Sequence, residues 1–522
     1  MIDSYWWWTD EEKALAKEVD KFCDDNMEAA ERAHVEKRFP WETMKKVGEK
    51  YMGAGVPKEY GGMGLGATGS CIVAEALGRL YAVGHVFVVS MLGGLHQLIM
   101  YGTESQKKKY LTQIAGGKVL GAVMITEPFA GSDAANVYTT AKKEGDKWII
   151  NGKKRMITGA GAAGRYFAYI KTSDDPADRK AYKHLTAFIL DRGMKGFTLE
   201  KINDLVGFDN VPNGYVNMED MEVPDENRIG DAGAGWQVMM SGLNFERLIA
   251  GATLGGGLGD IIKLLAHYME RRVQFNSQVK RFTNLQFDLA DIIKKYFISR
   301  LICYYSAYLL DHNKELKLTE FETGTWASIA KIYATESARE IGSTAVQICG
   351  GDGLTRFYPL ERLVREAKIG EIVAGTTEVQ KMIIYRMTQQ KRGFLDITHY
   401  FKIHETLGVP IITNGPSQWE GIEINKDNVL KVLAEDYRVN PGLYMTVDDI
   451  KLQTAGRKKP IVEALEELEK EGTIVTFKGR DGKIHMAKAN FVGLRKANPK
   501  EHYRYFPDWV KDDEFLMAMT KF

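Results

Sequence analysis

A chain of 522 residues with 44% hydrophobic and 27% charged residues has the balance of an ordinary globular protein, with room for roughly two to four domains and a large core. Its net charge of +1 supplies no global attraction to nucleic acid or to an anionic membrane, so any polyanion site must be local. Four cysteines without CxxC spacing suggest neither a zinc site nor a disulfide framework, and read as reduced core residues.

The first eight residues, ending in Trp6, Trp7 and Trp8, have neither the basic start nor the apolar run of a signal peptide. No uncharged apolar segment approaches about 20 residues, so no membrane span and a cytoplasmic location are expected. The tryptophans are expected to pack against the first helix. Thr9-Asp-Glu-Glu12 is a capping box that opens an amphipathic helix through residue 30, and a second helix is expected at 41–51. Gly61-Gly-Met-Gly-Leu-Gly66 follows no strand and lacks a Lys-Ser/Thr ending, so it reads as a turn rather than a phosphate cradle. Helical periodicity then continues to about residue 115. His96 lies in this pattern and reads as structural; no pair of histidines or carboxylates has metal-site spacing, so no metal is expected.

Near Gly121 the character changes to short alternating runs at 136–142, 147–150 and 153–158, with Gly145-Asp146 and Asn151-Gly152 as turns; Asn-Gly between such runs is a hairpin signal. Further strands are expected at 166–171, 185–190, 197–202 and 214–223, making an all-β insert. Long helical patterns return at 244–274, 281–312 and 322–348, with apolar faces broad enough for a bundle. Beyond residue 395, Pro410, Asn414-Gly-Pro-Ser417 and Asn440-Pro-Gly442 punctuate shorter elements. Thr446-Val-Asp-Asp449 caps one short helix and Lys459-Pro460 opens another. Strands at 473–478 and 483–488 flank a Gly-Arg-Asp-Gly turn, an order that resembles a winged helix. Four domains are expected, at 1–120, 121–232, 233–395 and 396–522.

Thr126-Glu-Pro-Phe-Ala-Gly-Ser-Asp133 is similar to a signature that begins the middle domain of acyl-CoA dehydrogenases. Further blocks follow in that family's order: Ile149-Ile-Asn-Gly-Lys-Lys-Arg-Met-Ile-Thr158, Glu270-Arg-Arg-Val-Gln-Phe275 with Leu285-Gln286, Gln347-Ile-Cys-Gly-Gly-Asp-Gly-Leu354, and Glu371-Ile-Val-Ala-Gly-Thr376. Several ordered blocks over residues 9–392 are far more specific than a lone glycine motif. The resemblance implies an α+β multi-domain fold: an N-terminal helical domain, a middle β-barrel domain and a C-terminal four-helix bundle, here with a small winged-helix-like α/β extension.

It also implies FAD. The segment ending in Ile125 and Thr126 would face the electron-rich end of the flavin, Thr158 would sit near N5, and Ser132 would touch flavin or substrate. Met156 stands where many relatives place a tryptophan, and a thioether shields a flavin face less. Arg272, Gln274, Phe275 and Gln286 match the block that reaches FAD from a neighbouring subunit, facing Gln347, Gly350 and Gly351. Arginine suits a pyrophosphate through its planar fork. Thr376 and Glu378 would run beside the ribityl or adenosine part. The implied partners are further copies of the chain in a dimer or tetramer, an acyl-CoA substrate and an electron-transferring flavoprotein.

The resemblance is least regular at the base. Ala374 occupies the position where many members carry a glutamate, while Glu246, in Gly242-Leu-Asn-Phe-Glu-Arg-Leu248, stands where isovaleryl-CoA and long-chain types keep it. Glu246 is therefore expected to remove the substrate's α-proton as hydride leaves the β-carbon for flavin N5. Asn244 and Arg247 are expected near the CoA portion, with Val373 and Ala374 beside the substrate. Two alternatives stay open: an oxygen-using oxidase or monooxygenase of the same fold, and a DNA-binding flavoprotein of the alkylation-response kind. Against the latter, Glu466, Glu467, Glu469 and Glu471 crowd the helix that would meet phosphates, so the tail is expected to be structural or partner-docking.

Overall fold

The computed structural model describes residues 4–92, 94–390, 419–439, 442–479 and 481–497. The chain divides into two compact units, Met1–Gln390 and Lys391–Phe522. Pro410, Asn414 to Ser417, the residue 395/396 boundary, and Asn440 and Pro441 lie outside the described residues.

In the first unit, α1 (Asp10–Val35) starts at the capping box: Thr9 accepts from the Glu12 amide and Glu12 answers the Thr9 amide. Trp8 packs edge-on against Tyr304 at 4.7 Å and is buried, whereas Trp6 is 88% exposed. After α2 (Trp41–Lys50), the glycine-rich loop leads into α3 (Ala67–Gly78). Asp311 accepts from the Ala67 and Thr68 amides at 2.6 and 2.8 Å, so a carboxylate of this chain already occupies that helix N-terminus. Next come α4 (Ala82–Leu92) and α5 (Leu95–Tyr101), then short turns α6 (Glu104–Gln106) and α7 (Thr112–Ala115).

The middle segment is an eight-stranded sheet in the order β6-β7-β3-β2-β4-β5-β8, with β1 (Gly121–Met124) added in parallel to β4 (Arg165–Lys171). The other strands are β2 (Thr140–Glu144), β3 (Lys147–Thr158), β5 (Leu185–Asp191), β6 (Phe197–Ile202), β7 (Asn213–Pro224) and the two-residue β8 (Arg228–Ile229). Its hydrogen-bonded path ends at β6 and β8, which do not pair, so the expected barrel is a sheet open at both ends. A five-residue helix, α8 (Pro176–Lys180), interrupts the expected all-β insert. Asn151-Gly152 is a bulge rather than a hairpin: β3 runs through it, and its register with β7 slips between Ile150 and Gly152. Gly152 has φ +147°, and a Cβ there would lie 2.5 Å from the Thr139 hydroxyl, which explains the glycine without any chain reversal.

Five helices follow: α9 (Gly235–Arg271), α10 (Thr283–Asp311), α11 (Glu320–Cys349), α12 (Leu360–Ile372) and α13 (Thr377–Gln390). Leu258, Ile261 and Leu265 of α9 share a core with Ile292, Ile341 and Leu363. Further up α9, Leu248 and Ile249 join the core of the N-terminal helices and of Phe167 and Tyr169 on β4. Gly78 permits this approach, since a Cβ on it would stand 1.9 Å from the Thr253 carbonyl. Because α9 packs against everything around it, its sequence is apolar on most sides. It and the stretch 82–101 are long and apolar enough to cross a membrane by length and composition, contrary to the expectation above, but both are mostly buried within the protein.

The described part of the second unit has a helix at Lys426–Val439, a short strand Met445–Thr446, helices Val447–Thr454 and Lys458–Lys470, a hairpin of Ile474–Lys478 with Ile484–Ala489, and a helix Phe491–Ala497. The three strands form one antiparallel sheet, and Leu430, Leu433, Ile450, Leu465 and Ile484 share its core.

Candidate active site

One face of α9 borders a cavity of about 1480 Å³, walled also by α4, by the edge of the sheet and by the turn between α12 and α13. Glu246, Ala250, Leu254 and Gly257 line it at helical spacing. Of the residues singled out in the sequence, Ile125, Thr126, Ser132, Met156, Thr158, Asn244, Glu246, Arg247, Val373, Ala374 and Thr376 all line this one space.

Glu246 makes no hydrogen bond or ion pair with any described residue, its chain neighbour Arg247 included. Burial pushes its carboxyl up to about 7, against the opposing pull of the Arg247 and Lys331 charges. Arg247 is itself buried: its guanidinium donates to Asn244 Oδ1 at 3.1 Å, and its Nε has no partner among the described residues. Burial holds its pKa below the usual value.

The α12–α13 turn is built around two residues with left-handed backbone, Ala374 at φ +57° and Gly375 at φ +91°. Two buried side chains hold it. Lys331 Nζ on α11 donates to the Glu371 and Gly375 carbonyls, each at 3.0 Å, and Gln380 Nε2 donates to the Ala374 and Gly375 carbonyls, also at 3.0 Å. Burial draws the Lys331 ammonium down to about 8. Ala374 lines the same cavity as Glu246 and offers no titratable group.

On the sheet side, Thr158 Oγ1 accepts from Asn213 Nδ2 at 3.1 Å. Met156 has φ +58°, is 39% exposed, and receives Asn203 Nδ2 at 3.6 Å from its sulfur. A buried ion pair fixes the segment bearing Ile125 and Thr126. Lys154 Nζ lies 2.8 Å from Glu127 Oε1 and 3.2 Å from the Ile125 carbonyl, while Glu127 accepts from the Tyr138 and Thr139 amides.

The remaining residues lie elsewhere. Arg272, Gln274, Phe275, Gln286, Gln347, Gly350 and Gly351 are exposed and outside the cavity. Arg272 to Phe275 sit on a hairpin after α9, and Gln347 to Gly351 at the end of α11; Tyr268 ties these ends together by donating to the Cys349 carbonyl at 3.0 Å. Gly350 is needed for its φ of +58°; the space a Cβ would take at either glycine is open in one chain. Glu378 is exposed in the first turn of α13 and does not line the cavity. Lys331, Gln380, Lys154, Glu127 and Asn213 were not assigned roles from sequence. A lysine on a charged helix gives no local sign that it is buried.

Family profiles described as acyl-CoA dehydrogenase N-terminal, middle and C-terminal domains match residues 9–118, 122–221 and 233–388. The chain belongs to the acyl-CoA dehydrogenase family. It is 36% identical over 383 residues to the short-chain-specific acyl-CoA dehydrogenase of Clostridium acetobutylicum, covering 72% of this chain and 97% of that one. It is 33% identical over 395 residues to the caffeyl-CoA reductase–Etf complex subunit CarC of Acetobacterium woodii, covering 74% and 100%. Butyryl-CoA dehydrogenase of Megasphaera elsdenii superposes with a TM-score of 0.68 at 29% identity over 74% of this chain and all of that one. As an acyl-CoA dehydrogenase family member, the protein is an FAD-dependent oxidoreductase acting on acyl-CoA. The cavity fits that chemistry: it exceeds the roughly 300–1,000 Å³ of a single-ligand pocket, leaving room for a flavin ring and a thioester together. Thr126 and Thr158 bring hydroxyls to it beside the apolar Ile125 and Met156.

Proposed function

We propose that the protein interconverts an acyl-CoA and its 2-enoyl-CoA, with Glu246 as the base that takes the α-proton. The observation that carries this reading is a desolvated carboxyl in the cavity wall, poised at about 7 and without a partner among the described residues; the other buried carboxyl of that wall, Glu366, accepts from the Phe208 amide, and Ala374 offers no titratable group. FAD supplies the hydride acceptor when bound. Ile125, Thr126, Ser132, Met156 and Thr158 hold it on the sheet side, with Thr376 from the clamped turn. Val373 and Ala374 pack beside the thioester, and Asn244 and Arg247 lie toward the CoA portion.

A second copy of the chain completes the nucleotide site in this reading, through Arg272, Gln274, Phe275, Gln286, Gln347, Gly350, Gly351 and Glu378. The apolar side chains exposed on α10 and near those blocks, among them Val273, Phe287, Leu354 and Phe357 with Phe275 at 92%, support burial against another subunit in a dimer or tetramer. An electron-transferring flavoprotein is the proposed redox partner, since the Acetobacterium woodii relative is named for its Etf complex. Four buried free cysteines agree with a reducing, cytoplasmic setting. The element order of the second unit favours a winged-helix-like module. Its helix Lys458–Lys470 exposes Glu463, Glu466 and Glu467, which favours a structural or protein-docking role over DNA.

The exposed Met156 favours a second reading, in which oxygen reaches the reduced flavin. Anaerobic mixing with a panel of acyl-CoAs, followed by air or by an electron-transferring flavoprotein, tests both. Flavin bleaching that only the flavoprotein reverses quickly supports the dehydrogenase; rapid reversal by air supports an oxidase, and no bleaching by any acyl-CoA or reoxidation by any enoyl-CoA refutes both.

A further inference from the structure

Along α9 the cavity wall beyond Glu246 is mostly apolar, and it turns polar again toward the far end of that helix face. Glu246 and Gly257 are eleven residues apart on α9, roughly 16 Å along the helix. Between them α9 contributes Ala250, Leu254 and Thr253, whose hydroxyl is spent on the Ile249 carbonyl at 2.8 Å, and Val88, Val89 and Ile369 also line the cavity. At the Gly257 end stands Tyr81, 3.8 Å from where a Gly257 Cβ would be, and one helical turn further along that wall is His85. The His85 ring is stacked on Phe208, with centroids 4.0 Å apart and planes 8° from parallel, yet it makes no hydrogen bond with any described residue. The Phe208 amide in turn donates to the buried Glu366 carboxyl, which also lines the cavity.

Beside Tyr81, two further titratable side chains, His85 and Glu366, thus face this part of the cavity, and the imidazole makes no hydrogen bond with any described residue. Burial keeps His85 neutral, down to about 4, and pushes Glu366 up to about 7, so together they present donors and acceptors but no fixed positive charge. The cations that act on Glu366 do not line the cavity: Arg362 is engaged by Glu31 at 2.6 Å and lies 3.6 Å over the Tyr81 ring, and Arg365 is paired with Glu361 at 2.7 Å. The arginines that do line it, Arg247 beside Glu246 and Arg386 on α13, are not among the charges that act on Glu366. A carboxylate-ended acyl group would meet Glu366 without a counter-ion, and a methyl end would leave the imidazole unpaired.

Building on the acyl-CoA reading, we propose that the far end of the cavity selects an acyl group ending in an uncharged hydroxyl, aliphatic or phenolic, with His85 as its principal hydrogen-bonding partner and Glu366 beside it. The hydroxyl can donate to one group and accept from the other.

The test uses FAD-loaded full-length protein and acyl-CoAs of matched length ending in methyl, hydroxyl, carboxylate or hydroxyphenyl. Dissociation constants come from flavin absorbance changes and reduction rates from bleaching. A hydroxyl-ended group, aliphatic or aryl, should be preferred at least about tenfold over the methyl and carboxylate ends. His85→Phe should abolish that preference, and His85→Gln, which keeps a donor and an acceptor, should retain most of it. Equal use of all ends by the wild type, or an unchanged preference in His85→Phe, overturns the inference while leaving acyl-CoA chemistry intact. Failure of every acyl-CoA to perturb the flavin removes the parent reading and this one with it.

Discussion

Replacing Glu246 by glutamine removes the titration and keeps the shape, so it separates chemistry from packing. In the fold the carboxyl rises from 4.5 to about 7, a difference worth roughly 3 kcal/mol between its protonation states, as an upper bound because the group faces the cavity's water. The folded value lies above the unfolded one, so the fold prefers the protonated acid. Wild-type stability should therefore fall as pH rises from about 4.5 toward 7 and stay lowered above it. The variant should lack this loss and be more stable than wild type by up to about 3 kcal/mol at pH 8.5, with no gain at pH 4. Catalysis has the opposite demand. Wild-type kcat/KM should rise as pH passes through about 7, and the variant should bleach its flavin at least about a hundredfold more slowly at every pH. Denaturant melts at several pH values and anaerobic stopped-flow give both readouts. A variant that bleaches at near wild-type rates, or a stability difference that does not change with pH, refutes the assignment.

Lys331→Met strips the Glu371 and Gly375 carbonyls of their donor and removes a charge that lowers the Glu246 pKa. Stability should drop by roughly 1–3 kcal/mol, and the rise in kcat/KM should move to higher pH. Lys154→Met leaves Glu127 buried without its cation and should cost roughly 3–5 kcal/mol in denaturant melts, partly recovered by adding Glu127→Gln. Arg272→Ala, at an exposed position in one chain, should weaken FAD retention on dilution while leaving far-UV circular dichroism unchanged; cofactor released into a filtrate at falling protein concentration measures it.

Patterns written in neighbouring residues were legible in the sequence. The Thr9 and Thr446 capping boxes need only three residues of spacing, and both are formed. Asn151-Gly152 misled because a turn and a bulge ask the same backbone freedom of glycine, and only the pairing of β3 with β7 tells them apart. The residues lining the cavity came from ordered motifs along the chain. What tunes them did not, because the desolvation of Glu246, the burial of Lys331 and Lys154, and the unpaired ring of His85 all arise where distant segments meet. Glu378 shows the reverse limit, since a residue can sit inside a recognisable motif and still point to solvent in a single chain.

The turn that carries Val373 and Ala374 takes its shape from outside itself, through an ammonium on one helix and an amide on the next. Its own side chains are consequently released from scaffolding duty. Exchanges at these two sites that tolerate the left-handed backbone of Ala374 can resculpt the chamber without dislodging the peptide groups around it. That makes them economical entry points for altering which thioesters the enzyme accepts.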